Sequence, residues 1–155
     1  MISPELLRRY DWFGGIEAEA LTSLAMLAER QTLPAGETIF DAGAPAAALY
    51  LLISGSVDLY EVIIDRALPE GRLESFLSDV SPGEVFGVSA IIEPYIYMLT
   101  ARAATGLDLV RLDGPALRAL LETDAELAQH ILRQATKTLA IRLRDTRVLL
   151  AAARA

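Results

Sequence analysis

The spacing of apolar residues divides this chain into helical ends and a middle that is rich in short strands. Ser3 and Pro4 form a helix start, and Gly14-Gly15 interrupts that helix. A second helix follows, and its apolar stripe consists of Ala20, Leu21, Leu24, Leu27 and Ala28. From Gln31 onward, short apolar runs alternate with Gly, Pro and Asp, a pattern that predicts the strands of a sandwich or barrel.

These patterns predict a mainly β fold with flanking helices. We expect N-terminal helices over residues 1–30, strands over residues 31–112 with a hairpin loop at 65–72, and C-terminal helices over residues 115–150. With 155 residues, of which 53% are hydrophobic, the chain is long enough to bury its own core. The sequence therefore predicts one domain that spans residues 1–155.

The last helix carries an apolar repeat that continues towards Leu150 from a start at Thr123-Asp124. A seven-residue spacing of apolar positions is typical of helices that pair with another helix. We therefore predict a homodimer through this helix, with Thr146 as the polar interruption of the repeat. The predicted dimer positions are Leu132, Ala135, Leu139 and Leu143. The alternative is that the stripe packs along its own domain.

The net charge of −7 narrows the choice of partners. Nucleic-acid affinity comes mostly from neutralising phosphates, so an acidic chain is not expected to bind DNA directly. The last third is locally more basic, and we interpret its cations as a solvated helix face. These cations are Arg133, Lys137, Arg142, Arg144 and Arg147.

Composition also limits the chemistry. The chain has no cysteine, and His130 is its only histidine, so thiolate-bound metals and a catalytic triad lack their residues. We predict no enzyme, no metal and no cofactor, and we expect His130 to be an ordinary helix residue. The N-terminus has no signal-peptide pattern, and no apolar run reaches the roughly 18 residues of a membrane helix. We therefore expect a cytoplasmic protein without membrane contacts.

Four short motifs follow one another along the strands. They read Pro34-Ala35-Gly36-Glu37-x-Ile39-Phe40-x-x-Gly43, Leu49-Tyr50-x-x-x-x-Gly55-x-Val57, Pro82-Gly83-Glu84-x-Phe86-Gly87 and Ala101-Arg102-Ala103-Ala104-Thr105. In this order and spacing they resemble the cyclic-nucleotide-binding domain of the catabolite activator protein, protein kinase A regulatory subunits and cyclic-nucleotide-gated channels. The resemblance covers roughly residues 6–147. It implies a double-stranded β-helix, a jelly-roll-like β-roll, with an N-terminal helix pair, a phosphate-binding cassette at residues 83–105 and a long C-terminal helix.

The cassette departs from the pattern of ligand-binding members. In those members a glutamate after the glycine accepts the ribose hydroxyl, and an arginine before the exit strand binds the cyclic phosphate. Here Val88 follows Gly87 in place of the glutamate. The arginine and its small neighbour are replaced by Tyr97-Met98, or by Ile96 if the spacing is one residue shorter. Hydrogen bonds to charged groups contribute roughly 1.5–3 kcal/mol each, so we expect weak or no binding of cAMP or cGMP.

The altered cassette still offers groups that bind ligands. Backbone amides could receive an anion, and two tyrosines could stack on a ring or donate hydroxyls. The candidate ligand-binding residues are Gly87, Val88, Ser89, Ala90, Ile91, Tyr95, Tyr97 and Met98. The segment also resembles a Ser-Ala-Leu-x-x-Pro-Tyr-x-Tyr cassette of bacterial single-domain relatives. The alternative is that these side chains fill the space where the ligand of other family members would bind. Separately, Arg102 on the exit strand is predicted to face solvent.

The sequence thus predicts a regulatory ligand-sensing module whose ligand is an atypically bound nucleotide or a small apolar or aromatic molecule. The alternative is a ligandless scaffold that docks a protein partner through its C-terminal helix. An open cavity lined by Val88, Tyr95 and Tyr97 would favour sensing, and a packed one would favour the scaffold. Family transcription regulators carry a winged helix-turn-helix after the long helix, and nothing after Thr146 fits one.

Overall fold

Two four-stranded antiparallel sheets form the middle of the molecule, which a computed structural model describes over residues 1–155. The first sheet has the order β1 (Ala28–Leu33), β8 (Leu107–Asp113), β3 (Ala48–Ser54) and β6 (Val85–Phe86). The second has the order β2 (Thr38–Phe40), β7 (Thr100–Ala103), β4 (Val57–Ile64) and β5 (Arg72–Val80). The predicted mainly β fold with flanking helices is confirmed, and the hairpin loop lies between β4 and β5 as expected.

Strand β3 divides the core into two parts. Successive side chains of a strand point to opposite faces, and the first five of the seven residues of β3 are all buried. Leu49 and Leu51 pack with residues from the helices, whereas Tyr50 and Leu52 pack between the two sheets. A strand covered on both faces explains why this segment is a continuous apolar run instead of an alternating one.

Gly55 forms the corner between β3 and β4. Its φ is +99°, a backbone conformation that side chains other than glycine rarely adopt. A Cβ at this position would fall on the carbonyl of Gly106 and lie 2.8 Å from Leu107 Cδ2. The glycine in the second sequence motif is therefore required both by backbone conformation and by space.

The N-terminal segment contains α1 (Pro4–Arg8), a 3₁₀ turn (Asp11–Phe13) and α2 (Ala18–Met26). The first helix is shorter than the sequence pattern predicts, because the 3₁₀ turn buries Trp12 and Phe13 in the core. The predicted stripe of the second helix was wrong at its end. Helix α2 stops at Met26, and Ala28 begins β1, where it pairs with Leu112 of β8.

Two capped helices end the chain. Helix α3 (Gly114–Thr123) is capped by Asp113, which accepts a hydrogen bond from Ala116 N at 2.9 Å. Helix α4 (Ala125–Arg154) is capped by Asp124 and extends for about 45 Å. Its first half packs onto the core, and the buried residues there are Leu127, Ile131 and Ala135. None of the helices has the length and apolar character needed to cross a membrane.

Candidate ligand-binding site

The predicted cassette begins where β6 ends. Gly87 has a φ of +81° and turns the chain into a 3₁₀ turn (Val88–Ile91). A Cβ on Gly87 would lie 3.2 Å from the carbonyl oxygen of Ala48 and 3.4 Å from the Tyr50 ring. The cassette backbone therefore lies directly against β3, and glycine permits that close approach.

Tyr97 completes the hydrogen bonding of β3. Strand β6 pairs with β3 only at Tyr50 and Leu51, so it does not reach Ala48. The Tyr97 hydroxyl fills this gap, because it donates to Ala48 O at 2.6 Å and accepts from Ala48 N at 3.1 Å. Burial raises the pKa of Tyr97 to about 12, so the hydroxyl remains protonated at neutral pH. Both bonds bind the hydroxyl to the protein's own backbone, which leaves the ring as the part that faces the cavity.

The ring of Tyr97 belongs to an aromatic cluster. It stacks on Phe40 with centroids 3.7 Å apart and planes inclined by 9°. Phe40 also contacts Phe86 and Tyr50, whose own rings stack at 5.2 Å. Stacked rings of this kind form a flat apolar wall.

A cavity of about 260 Å³ lies between this wall, the second sheet and α4. The cassette lines it with Gly87, Val88, Ser89, Tyr97 and Met98. The strands and the segment before β7 contribute Phe40, Leu59, Glu61, Leu77, Phe86 and Leu99. Helix α4 contributes Thr138, Leu139, Arg142, Leu143 and Thr146.

Three of the predicted cassette residues lie away from this cavity. Ala90 and Ile91 are buried in the core beneath the helices, because the 3₁₀ turn directs them towards α3. Tyr95 packs against Arg118 of α3, whose guanidinium carbon lies 4.3 Å from the ring centroid. Arg118 also donates to Ala90 O at 2.7 Å and so holds the cassette on α3. The sequence carried no signal for this role of Arg118.

Arg142 lies in a place that the sequence pattern did not predict. The sequence predicts a position on a solvated face, yet only 14% of the Arg142 side chain is exposed and it lines the cavity. It donates to Ser78 Oγ at 3.4 Å and to Asp145 Oδ2 at 3.5 Å. The cavity thus contains a cation, and this cation comes from α4 instead of the cassette.

Helix α4 is also joined to the N-terminal 3₁₀ turn. The Trp12 indole N–H donates to Thr138 Oγ1 at 3.2 Å, and Thr138 lines the cavity. About two helical turns earlier in the chain, His130 Nε2 lies 3.1 Å from Trp12 O. No cluster of histidine, aspartate and glutamate side chains suits a metal ion.

The predicted dimer positions do not all share one environment. Leu132, Leu139 and Leu143 are 46%, 44% and 60% exposed, whereas Ala135 is 1% exposed and packs inside the core. Ala135 is therefore on the wrong side of the helix for a contact with a second chain. Its spacing matched the repeat, but its small side chain is covered by its own domain.

Arg102 lies on β7, outside the cavity. Its guanidinium donates to both carboxylate oxygens of Glu74, at 3.0 and 3.3 Å. These hydrogen bonds lower the pKa of Glu74 below its usual value. Arg102 is thus a partly exposed structural residue that joins β7 to β5.

Residues 30–124 match the family model for the cyclic nucleotide-binding domain. The chain belongs to this family. It is 34% identical over 92% of its length to a cAMP-activated global transcriptional regulator of Mycobacterium tuberculosis. The chain spans about three-fifths of the length of that relative. The resemblance inferred from the four motifs is therefore confirmed.

Solved structures from this family have the same architecture. A protein of Geobacter metallireducens classed as cyclic nucleotide-binding superposes with a TM-score of 0.80 at 34% identity, over 92% of this chain and 99% of that one. The N-terminal domain of a transcriptional regulator of Streptomyces coelicolor gives a TM-score of 0.64 at 30% identity, over 91% and 94% of the two chains. The relatives of Mycobacterium tuberculosis and Streptomyces coelicolor are both named as transcriptional regulators.

Proposed function

We propose that this cyclic nucleotide-binding domain senses a small molecule in its cavity and transmits occupancy through α4, without catalysing a reaction. One observation carries the proposal: five side chains of α4 line the cavity, and the same helix continues well beyond the core. A ligand that contacts these side chains binds one position of α4 more tightly than another. Differential affinity of that kind is what shifts a conformational equilibrium.

The ligand is proposed to bind without the usual cassette contacts. Of the cassette residues that line the cavity, none is charged, and the Tyr97 hydroxyl is occupied by Ala48. A cyclic phosphate would therefore lack a cation on that side. We expect cAMP and cGMP to bind weakly or not at all, in contrast to the relative that is named for its activation by cAMP.

We further propose that α4 forms a homodimer. The helix exposes a row of large apolar side chains that the domain itself leaves uncovered, namely Leu132, Leu139, Leu143 and Leu150. Apolar positions at this spacing pair helices. Leu139 and Leu143 lie on this row and also line the cavity, so a ligand would contact the dimer helix directly.

Tryptophan fluorescence tests the sensing proposal. Trp12 is the only tryptophan, and its indole bonds to Thr138 of the cavity. Titration with cAMP, cGMP and a panel of small apolar and aromatic molecules should change its emission for at least one compound. Thermal unfolding is the second readout, since a ligand at a hundred times its Kd adds about 2.7 kcal/mol, or roughly 5–10 °C.

A second candidate function is a scaffold that docks another protein on α4. The same exposed apolar row favours it. A folded chain that responds to no compound in either assay would support the scaffold over the sensor. A cAMP response as large as 5–10 °C would instead contradict the expected weakness of cyclic nucleotide binding.

Sedimentation tests the dimer. Wild-type protein should sediment as a dimer, and Leu139→Glu should sediment as a monomer because it places a charge in the apolar row. Ile141→Glu is the matched control, since Ile141 is 49% exposed but faces another side of α4. A wild-type monomer at high concentration would refute the homodimer.

A further inference from the structure

Arg142 is the only positively charged side chain that lines the cavity. Both of its hydrogen bonds, to Ser78 and Asp145, come from Nη1, at lengths near the outer limit for such bonds. A guanidinium carries five N–H donors in a planar fork. Its Nη2 and Nε atoms make no hydrogen bond to the protein, although only 14% of the side chain is exposed. The largely buried cation therefore has donors to spare for a ligand.

The remainder of the cavity favours an apolar body. Ten of the sixteen residues that line it are hydrophobic, among them five leucines and the stacked rings of Phe40 and Tyr97. Thr138 and Thr146 already donate to backbone carbonyls of α4, so Ser89 and Glu61 are the polar side chains besides Arg142 that are left to bind the hydroxyls of a sugar. A hydrocarbon or an aromatic ring fits such walls because its burial needs no hydrogen-bond partner.

Charge and size define the ligand further. Arg142 already has one carboxylate neighbour, Asp145 at 3.5 Å, and Glu61 lines the cavity without an ion pair. Because one cation faces two carboxylates, each further negative charge on a ligand adds repulsion, which favours a monoanion over a dianion. A guanidinium fork matches a carboxylate in a bidentate pair. The volume of about 260 Å³ equals that of roughly nine liquid water molecules, at about 30 Å³ each.

We infer that the sensed ligand is a small monocarboxylate with an apolar body of about ten non-hydrogen atoms, and that Arg142 pairs with its carboxylate. This inference rests on the sensing function proposed above and specifies its ligand class. It assigns to α4 the anion recognition that the cassette lacks.

Octanoate and octanamide test the inference, because they share one body and differ in charge. Titrations of the full chain, followed by Trp12 fluorescence and calorimetry, should show octanoate binding at least tenfold more tightly than octanamide. Arg142→Gln should weaken octanoate binding by about tenfold to a hundredfold and leave octanamide unchanged. Arg142→Lys should retain part of the preference. Arg144→Gln, which removes an exposed cation of the same helix, should bind both compounds as the wild type does.

The outcomes separate this inference from the function on which it rests. Equal affinity for octanoate and octanamide would overturn the carboxylate pairing while leaving a ligand sensor. Binding of cAMP but of neither probe would also overturn it and leave the sensor. A folded chain that binds neither probe nor any nucleotide would overturn both proposals. Unchanged octanoate binding in a folded Arg142→Gln variant would show that Arg142 is not the anion's partner.

Discussion

Removal of one hydroxyl group tests how the cassette is attached to the sheet. In Tyr97→Phe the ring can keep its stacking on Phe40, but Ala48 loses both the donor and the acceptor that satisfy its N–H and C=O. Tyr97 is only 4% exposed, so both backbone groups lose their partner in a buried position. Each buried backbone group left without a partner costs about 1–3 kcal/mol. We therefore expect a loss of about 2–4 kcal/mol in the free energy of unfolding.

Urea unfolding, followed by circular dichroism, measures this loss. With a typical slope of about 2 kcal/mol per molar urea, the midpoint should fall by roughly 1–2 M at an unchanged slope. Tyr60→Phe is the matched control, because the Tyr60 hydroxyl makes only a 3.5 Å contact with Asp58 and its removal should cost less than about 0.5 kcal/mol. A Tyr97→Phe variant as stable as the control would refute the role assigned to the hydroxyl.

Three further predictions concern other contacts. Gly55→Ala should lower the free energy of unfolding by about 2 kcal/mol or more, because the new Cβ would meet the backbone of Gly106. Gly43→Ala imposes a similar backbone strain but places its Cβ in open space, so it should cost less. Urea unfolding of both variants measures the difference. Arg118→Met should lower the free energy of unfolding by about 1–3 kcal/mol, measured by the same method. The substitution removes the hydrogen bond to Ala90 O and the guanidinium that lies over the Tyr95 ring. The pKa of Glu74, followed by NMR, should rise towards its ordinary value in Arg102→Gln. In the wild type the pair should stabilise the fold fully at pH values above the ordinary glutamate pKa. This stabilisation should be lost as the pH falls through the lowered pKa of Glu74. An unchanged Glu74 pKa in the variant would contradict the pairing.

The β-roll could be predicted because its corners are determined by local backbone chemistry. Gly55 and Gly87 need positive φ, and turn residues of this kind mark where strands end. The end of α2 could not be predicted in the same way. Ala28 is buried whether it continues a helical stripe or begins a strand, so spacing alone does not distinguish the two. Its pairing with Leu112, more than eighty residues later, decides the matter.

The role of Tyr97 shows a different limit. The sequence identified it as a residue in the place of the missing arginine, and this is consistent with its position beside the cavity. Whether a tyrosine hydroxyl binds a ligand or the backbone depends on which groups lie near it. Because β6 has only two residues, Ala48 has a free edge, and the hydroxyl bonds there. The length of β6 depends on its tertiary contacts, so it cannot be predicted from the cassette sequence alone.

The position of Arg142 on α4 could not be predicted, because the helix carries two apolar stripes and the exposed one is the longer. At 3.6 residues per turn, Arg142 lies within about 20° of Ile131 around the helix, whereas Leu139 and Leu143 lie about 80–120° away. Ile131 is fully buried, so its position defines the inward direction and places Arg142 towards the sheets. The leucines then lie at the side of the helix, where they contact both the cavity and the exposed row. A small rotation of α4 about its axis would therefore move Arg142 and the leucine row together, which physically links ligand binding to the proposed dimer contact.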